Sequence, residues 1–217
     1  MFLNFPLKES FAVIAALIGS IGVVLSFLKW YLPWRKKQKI QKTTIQQMRS
    51  IQKVYELMSE QLNNTNAERV VIFAGHNSGN TPKVGTPYYT SAIYWKLSHK
   101  TDCEDTNKRK DRDFGIDISD YKEIKVDGHY IDMLLTAYDR KHMLIETKEM
   151  PECQLKGYYE AESVVESLVV FLGFVGCNFI YMSIATLREE GFTKCDLTNI
   201  KLKASNIATE ITGEGSK

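Results

Sequence analysis

The sequence predicts an α+β domain, an antiparallel sheet flanked by helices, preceded by one transmembrane helix and a helical connector. Three observations lead to this fold class. A charge-free apolar run occupies residues 10–28, and a stretch without glycine or proline follows at 35–63. Nearer the C-terminus, two long apolar strand patterns at 163–172 and 178–187 are joined through glycines, which is typical of a hairpin and therefore of antiparallel pairing.

The composition limits the classes of protein to which this chain can belong. Its 217 residues are 25% charged and 44% hydrophobic, which excludes a disordered tail and a collagen-like fibre. The net charge of +2 is unevenly distributed, because the stretch from Lys29 to Lys53 holds eight bases and no acid, whereas the chain from Glu56 onward is net acidic. An acidic body has the wrong charge to hold a nucleic acid. The four cysteines form no CxxC pair, so neither a zinc ribbon nor a disulfide framework is predicted.

A transmembrane helix is predicted for residues 10–34, after a short N-terminal flank at 1–9. The charge-free run is nearly long enough to cross a hydrocarbon core of about 30 Å. Trp30, Tyr31 and Trp34 follow it, where aromatic rings sit at the headgroup level, and a basic cluster comes next. Because basic residues resist translocation, we expect a single-pass protein of the inner (plasma) membrane, bound to the lipid bilayer, with its C-terminal domain in the cytoplasm.

A basic helical connector is predicted at 35–64. Apolar residues recur there at alternating spacings of three and four, the rhythm of a coiled coil: Met48, Ile51, Tyr55, Met58 and Leu62. Two interpretations remain open, since the stripe can form the seam of a homodimer or pack on its own domain as an amphipathic first helix. Small residues at every fourth position of the membrane helix would also favour a dimer, although such residues are common in membrane helices.

A single α+β domain is predicted at 65–212, followed by a flexible tail at 213–217. Runs of β-branched and aromatic residues predict its strands, and apolar spacings of three and four predict its helices. In chain order the predicted elements are strands at 69–75 and 87–97, a helix around 131–138, a strand at 142–147, a helix at 152–162, the paired strands at 163–172 and 178–187, and a helix at 196–211. The polar stretch at 98–113 is predicted to be an exposed loop.

This layout resembles GAF-like sensor domains of the GAF and PAS type. The resemblance rests on the turn of residues 76–79 (His-Asn-Ser-Gly) after a strand and on the region 158–187, and it covers residues 35–212. In particular the chain is similar to short membrane-tethered versions found in bacterial and phage proteins. The resemblance implies a pocket for a small molecule on one face of the sheet, whose occupancy is passed to a flanking helix.

Five residues are candidates for binding a small ligand. His76 and Asn77 follow the first strand on a loop, where a rigid sheet can hold polar side chains in place, and Tyr88, Tyr89 and Tyr94 belong to the next strand. The alternative is a purely structural turn, in which Asn77 forms an Asx turn and His76 bonds to backbone. No metal site is predicted, since no set of residues has the spacing of metal ligands.

An enzymatic alternative comes from Asp132, Glu146 and Lys148. Their spacing is similar to that of restriction-endonuclease-like nucleases, in which paired carboxylates hold Mg²⁺ and a lysine positions the attacking water. Asp132, however, lies on a predicted helix beside its apolar face, and the net charge of the body opposes nucleic-acid binding. The preferred function is therefore non-catalytic: a membrane-anchored sensory or scaffolding module, without cofactor, that forms a homodimer and binds a small molecule or a protein partner.

The predicted orientation can be tested with a reporter enzyme that is active only in the periplasm. Because the basic cluster follows the apolar run, we expect no activity when the reporter is fused after Lys217 and activity when it is fused before Met1. Reporter activity from the C-terminal fusion would contradict the predicted topology.

Overall fold

The computed structural model describes residues 7–77, 87–98 and 121–213, and its side chains from residue 23 onward together with those of residues 18, 20 and 21. The chain divides into two compact units, Met1–Arg49 and Ser50–Lys217. The second unit thus begins well before residue 65, where the sequence analysis placed the start of the domain.

The first unit consists of the N-terminal part of helix α1 (Leu7–Asn64). Its described apolar side chains are exposed, and the aromatic ones stack along the helix: Phe27 on Tyr31, and Trp30 on Trp34. No helix among the described residues is long and apolar enough to span a membrane. The predicted transmembrane helix is therefore not confirmed.

The second unit is built on a six-stranded antiparallel sheet with the strand order β3-β2-β1-β6-β5-β4. Its strands are β1 (Arg69–His76), β2 (Tyr89–Leu97), β3 (Ile124–Lys125), β4 (His142–Glu146), β5 (Glu166–Val175) and β6 (Asn178–Thr186). Its helices beyond α1 are α2 (Gly128–Arg140), α3 (Gln154–Ala161) and α4 (Lys194–Thr212). The predicted fold class, an antiparallel sheet flanked by helices, is confirmed.

One face of the sheet is covered by the end of α1 and by α4. Met58 and Leu62 of α1 are buried there against Ile200 and Ile207 of α4 and the inward-facing residues of β1, β5 and β6. The second half of the apolar stripe in α1 therefore packs on its own domain, which is the intramolecular alternative. Only the earlier members of the stripe, Met48 and Ile51, remain exposed.

The other face is covered by α2 and α3, and its core contains a network of buried hydroxyl groups. Tyr130 of α2 is hydrogen-bonded to Tyr181 of β6. Tyr159 of α3 bonds to Ser167 (3.2 Å) and to Ser183 (2.9 Å), which also bond to each other at 2.9 Å. Buried polar groups are tolerated when they are satisfied, so this network fixes the helices on the sheet rather than weakening the core.

The hairpin between β5 and β6 differs in one detail from its prediction. The turn consists of Gly176 and Cys177, and Gly176 has the positive φ (60°) that a two-residue hairpin turn needs at its first central position. Gly173 was expected in the connecting loop but lies inside β5, at an irregularity in the pairing with β6. The strand β3 was not predicted, because two residues are too few to show an alternating pattern.

The packing of α1 can be tested by making the same substitution, methionine to glutamate, separately at two positions. Met58 is 0% exposed and Met48 is 65% exposed. Met58→Glu places an unpaired carboxylate in the core and should lower the free energy of unfolding by about 3–5 kcal/mol, a large part of a typical total of about 5–15. Met48→Glu, the matched control, should change the free energy of unfolding by no more than about 0.5 kcal/mol. Urea unfolding of the full chain, followed by circular dichroism, measures both, and equal effects would contradict the packing.

The buried tyrosines should make the domain sensitive to alkali. Burial raises the pKa of Tyr130 and of Tyr181 above the ordinary value for a phenol. Above about pH 10 the unfolded chain loses these protons while the folded domain keeps them, so the free energy of unfolding should fall by about 1.4 kcal/mol per pH unit for each such group. Below that pH their contribution is fully present. Urea midpoints between pH 8 and 11 should show a shallower fall for Tyr130→Phe, and an unchanged slope would contradict this assignment.

Candidate functional site

The predicted ligand residues lie around the end of β1, where the structure brings two of them together. His76 pairs with Tyr89 across the strands, their rings stack with centroids 6.4 Å apart, and His76 Nε2 lies 2.9 Å from the Ser91 hydroxyl. Asn77 is buried at the end of the strand, and residues 78–80 of the turn lie outside the described residues. His76 and Tyr89 thus contact each other in a polar pair next to Ser91.

The other two tyrosines pack in different cores. Tyr88 packs with the α2–α3 side of the sheet, and Tyr94 packs on the α1–α4 side, where its ring meets Tyr55 edge to face at 5.7 Å. Burial raises the pKa of Tyr88 and of Tyr94, so both phenols are held in the neutral form. The five residues do not line a common cavity among those found, and their role in ligand binding stays a prediction.

The residues of the nuclease alternative do not form a metal centre. Glu146 and Lys148 are paired at 2.8 Å, and Asp132 is exposed on α2 and lines neither of the cavities found. Across the described residues, no group of three or more histidine, cysteine or acidic side chains is placed to hold a metal ion. Nothing in this geometry favours a nuclease.

A cavity lies elsewhere, at the edge of the sheet where β4 ends and β5 begins. We name it the acidic cleft. It has a volume of about 510 Å³. Its walls are Glu146, Thr147, Lys148, Glu160, Val164, Val165, Glu166, Glu189, Glu190 and Gly191. Five of these ten residues are glutamates, so the cleft concentrates negative charge in a concave site of a size that accommodates a small molecule.

The sheet itself brings the glutamates together. Glu146 at the end of β4 lies directly opposite Glu166 at the start of β5, and Glu166 lies opposite Thr186 at the end of β6. The loop that follows β6 therefore reaches the same edge and adds Glu189 and Glu190, while α3 adds Glu160. Like charges directly opposite each other on neighbouring strands destabilise a sheet, so the pair of Glu146 and Glu166 has a cost.

Some of this charge is compensated locally. Glu146 is paired with Lys148, Glu160 lies 3.8 Å from Lys156, and Glu166 accepts a hydrogen bond of 2.7 Å from the backbone N–H of Phe192. Glu189 and Glu190 are exposed, and neither forms an ion pair with a residue that the structure describes. The cleft thus keeps an excess of negative charge on one of its walls.

Gly191 allows the loop to approach β5 closely. Its φ is +68°, in the left-handed region that favours glycine, and a Cβ atom there would lie 2.8 Å from a carboxylate oxygen of Glu166. A larger residue would push this carboxylate away. Gly191 therefore fixes the distance between the loop and Glu166.

Thr147 contributes a polar group that the fold leaves unsatisfied. Its backbone N–H donates to the carbonyl of Val165 at 3.0 Å, but its hydroxyl is buried and has no hydrogen-bond partner among the described residues. The side chain is only 6% exposed. A buried hydroxyl without a partner costs about 1–3 kcal/mol.

A partly buried ion pair holds the turn that follows α3. Arg69 of β1 is 3% exposed, is paired with Glu162, and donates a hydrogen bond of 2.7 Å to the Tyr121 hydroxyl. Its guanidinium also lies over the ring of Tyr159, 5.2 Å from the centroid. Because Glu162 stands between the cleft residues Glu160 and Val164, this ion pair ties the turn after α3 to the centre of the sheet.

Most cleft residues were not predicted from the sequence. Glu146 and Lys148 were named in the sequence analysis, but as catalytic residues of the nuclease alternative. Glu160, Glu166, Glu189 and Glu190 come from three separate places in the chain and individually resemble ordinary solvated glutamates. The available signal was the Glu-Glu-Gly sequence at 189–191, directly after a long apolar strand, which places two acids and a turn glycine at a strand end.

Comparisons with known proteins give similarity of fold only. No protein-family model matches the chain, and no curated protein matches it. One similar solved structure is the GAF domain of a two-component sensor histidine kinase from Bacillus halodurans, at 11% identity and a TM-score of 0.46, covering 74% of this chain and 92% of that one.

Two others come from photoreceptors. One is the photoproduct state of a GAF domain from Synechocystis, at 10% identity and a TM-score of 0.41, covering 77% of this chain and 92% of that one. The second is the phycocyanobilin-bound GAF domain of a cyanobacterial phytochrome. Its identity is 11% and its TM-score 0.41, and the match covers 70% of this chain and 79% of that one. The GAF-like resemblance predicted from the sequence is confirmed as a resemblance, and at these scores it carries no argument about ligand or activity.

Proposed function

We propose that this chain is a non-catalytic sensory or scaffolding module that binds a small molecule in the acidic cleft. The observation that carries the proposal is the cleft itself, about 510 Å³ in volume and lined by five glutamates. The volume lies within the range of about 300–1,000 Å³ that is typical of small-molecule sites.

The arrangement of the glutamates supports a binding role over a structural one. Glu146 and Glu166 face each other on neighbouring strands, although two like charges there weaken the sheet. Thr147 adds a buried hydroxyl without a partner. Features that cost stability are concentrated at functional sites.

Catalysis has less support. The described lining residues of the cleft include no histidine, cysteine or serine, and the lysine among them is paired with Glu146. Phosphodiester substrates would be repelled by the glutamates, so the nuclease alternative with Asp132, Glu146, Lys148 and Mg²⁺ is not retained. Binding without chemistry is the simpler account.

The sheet offers a route from the cleft to α1. Glu166 and Leu168 lie on the same face of β5 because side chains alternate along a strand. Leu168 packs in the core that contains Met58 and Leu62 of α1. In our proposal, a change in the position of Glu166 on ligand binding shifts β5 and is passed to the last turns of α1.

We also propose that the module is attached to the cytoplasmic face of the inner membrane and is a homodimer. Support for attachment is the series of exposed apolar side chains in α1 between residues 18 and 34, followed by the basic residues from Arg35 to Arg49. Support for a dimer is the exposure of Met48 and Ile51, the first two residues of the apolar stripe. A protein partner that receives the signal completes this proposal.

The binding site can be tested by native mass spectrometry of the full chain, purified in detergent. We expect a small molecule to be retained by the wild type and lost in Val165→Trp, because the indole would occupy the cleft. Val175→Trp is the matched control, since Val175 is exposed at the other end of β5, and this variant should keep the ligand. A ligand retained equally by both variants would contradict the cleft as the site.

A further inference from the structure

We propose that the free edge of β4 is a pairing surface for a second copy of this chain, so that the two sheets join into one across a two-fold axis at Leu144. This inference rests on the proposed homodimer and deepens it, because it names the surface of the second unit through which two copies pair. Three features of β4 carry it: its place in the sheet, the direction of its backbone groups and the self-complementary order of its side chains.

β4 is the last strand of the sheet and is paired on one side only. The strand order ends in β6-β5-β4, and the register of β4 with β5 runs without a bulge from His142 to Glu146. An edge strand presents a row of backbone N–H and C=O groups to which another strand can pair. The strand at the opposite edge, β3, has only two residues. Of the two edges described, β4 is therefore the one with the length for a ladder of hydrogen bonds.

The hydrogen bonds to β5 show which backbone groups of β4 point outward. The N–H of Thr147 donates to the carbonyl of Val165 at 3.0 Å, in the register of the two strands. In an antiparallel ladder, residues that bond to the neighbouring strand alternate with residues that do not. The N–H and C=O groups of His142, Leu144 and Glu146 therefore point away from β5, and they form no hydrogen bond with the described residues.

This edge lacks the features that usually prevent pairing with another chain. Natural proteins protect edge strands with proline, lysine or a bulge, and the sequence of β4, HMLIE, contains none of these. The two flanking lysines are engaged within the chain: Nζ of Lys141 lies 5.3 Å from the centroid of the Tyr138 ring, and Lys148 is paired with Glu146 at 2.8 Å. Leu144, at the centre of the strand, is 40% exposed.

The order of the side chains fits a second copy of β4. In an antiparallel ladder centred on Leu144, this leucine lies opposite the partner's Leu144, and His142 lies opposite the partner's Glu146. An apolar pair then occupies the centre, and on either side of it an imidazole N–H can donate to a carboxylate. A register shifted by two residues would instead place Glu146 opposite the partner's Leu144 and leave outward groups unpaired.

The pairing also closes on itself. When both copies use β4, the same surface lies on both sides of the axis, and no free β4 edge remains to recruit a third copy. An extended peptide from another protein could form the same backbone bonds. A second β4 supplies in addition the matching order of leucine, histidine and glutamate, which is why the occupant is a second copy.

The dimer dissociation constant of the full chain in detergent, measured by analytical ultracentrifugation, tests the surface. Leu144→Lys places two like charges directly opposite each other and should raise this constant by about tenfold or more. The matched control is Leu202→Lys, at a leucine of α4 that is 66% exposed, and it should stay within about twofold of wild type. Circular dichroism verifies that both variants fold. Equal effects of the two substitutions would overturn the pairing.

A mixture of two variants tests the self-complementary register. Leu144→Lys and Leu144→Glu should each pair weakly alone, whereas a mixture should form mixed dimers because opposite charges then face each other across the axis. Native mass spectrometry, with one variant isotope-labelled, counts the species. Mixed dimers no more frequent than the statistical proportion would overturn the register.

A disulfide across the axis tests the distance. Directly opposite residues that exchange hydrogen bonds have Cα atoms about 5.5 Å apart, within the range of about 4.4–6.8 Å that a disulfide spans. With diamide as the oxidant, Leu144→Cys should form a disulfide between the two copies at residue 144, identified by mass spectrometry of the peptides. Leu202→Cys, the matched control, should form none at residue 202. A disulfide formed equally at both positions would reflect random collision and would overturn the pairing.

The outcomes separate this inference from the proposed function. A wild type that is dimeric and unaffected by Leu144→Lys would overturn the pairing of β4 and leave the homodimer standing. A wild type that stays monomeric and forms no disulfide in Leu144→Cys would overturn both. Leu144 does not line the acidic cleft, so none of these variants alters the proposed ligand site.

Discussion

The pairing of β5 on both of its sides is the constraint on which the rest of the second unit depends. β5 is hydrogen-bonded to β4 along one edge and to β6 along the other, so its register fixes which residues of three strands lie side by side. That register aligns Glu146, Glu166 and Thr186 at one end of the sheet. It also places the side chain of Leu168 in the core shared with α1 and α4. A shift of the register by one residue would turn every side chain of the strand to the opposite face of the sheet.

The ion pair of Arg69 and Glu162 holds the neighbouring wall of the cleft in place. Two guanidinium nitrogens of Arg69, Nε and Nη2, have no hydrogen-bond partner in the part of the chain that is described. Cation–π contacts with the rings of Tyr121 and Tyr159 compensate only part of the cost of burying the guanidinium. A buried pair of this kind adds little net stability compared with apolar packing, but removing one partner leaves a buried charge. The effect of the ion pair is to hold the turn after α3 in place. This turn cannot move away from the sheet without separating Arg69 from Glu162, so Glu160 and Val164 stay at the cleft.

The strands and helices were predictable from the sequence where packing imposes a period. The hairpin of β5 and β6 is buried on both faces and therefore consists of long apolar runs, and α2 and α4 show apolar residues at helical spacing. The packing of Met58 and Leu62 was left open because an apolar stripe fits a dimer seam and an intramolecular core equally well. The cleft was not foreseen, since strand register joins Glu146 to Glu166 and no local pattern indicates it.

The same reasoning explains why our proposal uses the cleft rather than the end of β1. His76 bonds to Ser91 and stacks on Tyr89, so the fold accounts for this pair without a ligand. Thr147, Glu189 and Glu190 have no such account within the described residues: the Thr147 hydroxyl is buried without a partner, and the two glutamates are exposed and form no ion pair there. A sequence selected only for stability would replace them by apolar or neutral residues at little cost. In our proposal, this cost in stability is retained because the cleft binds a small molecule.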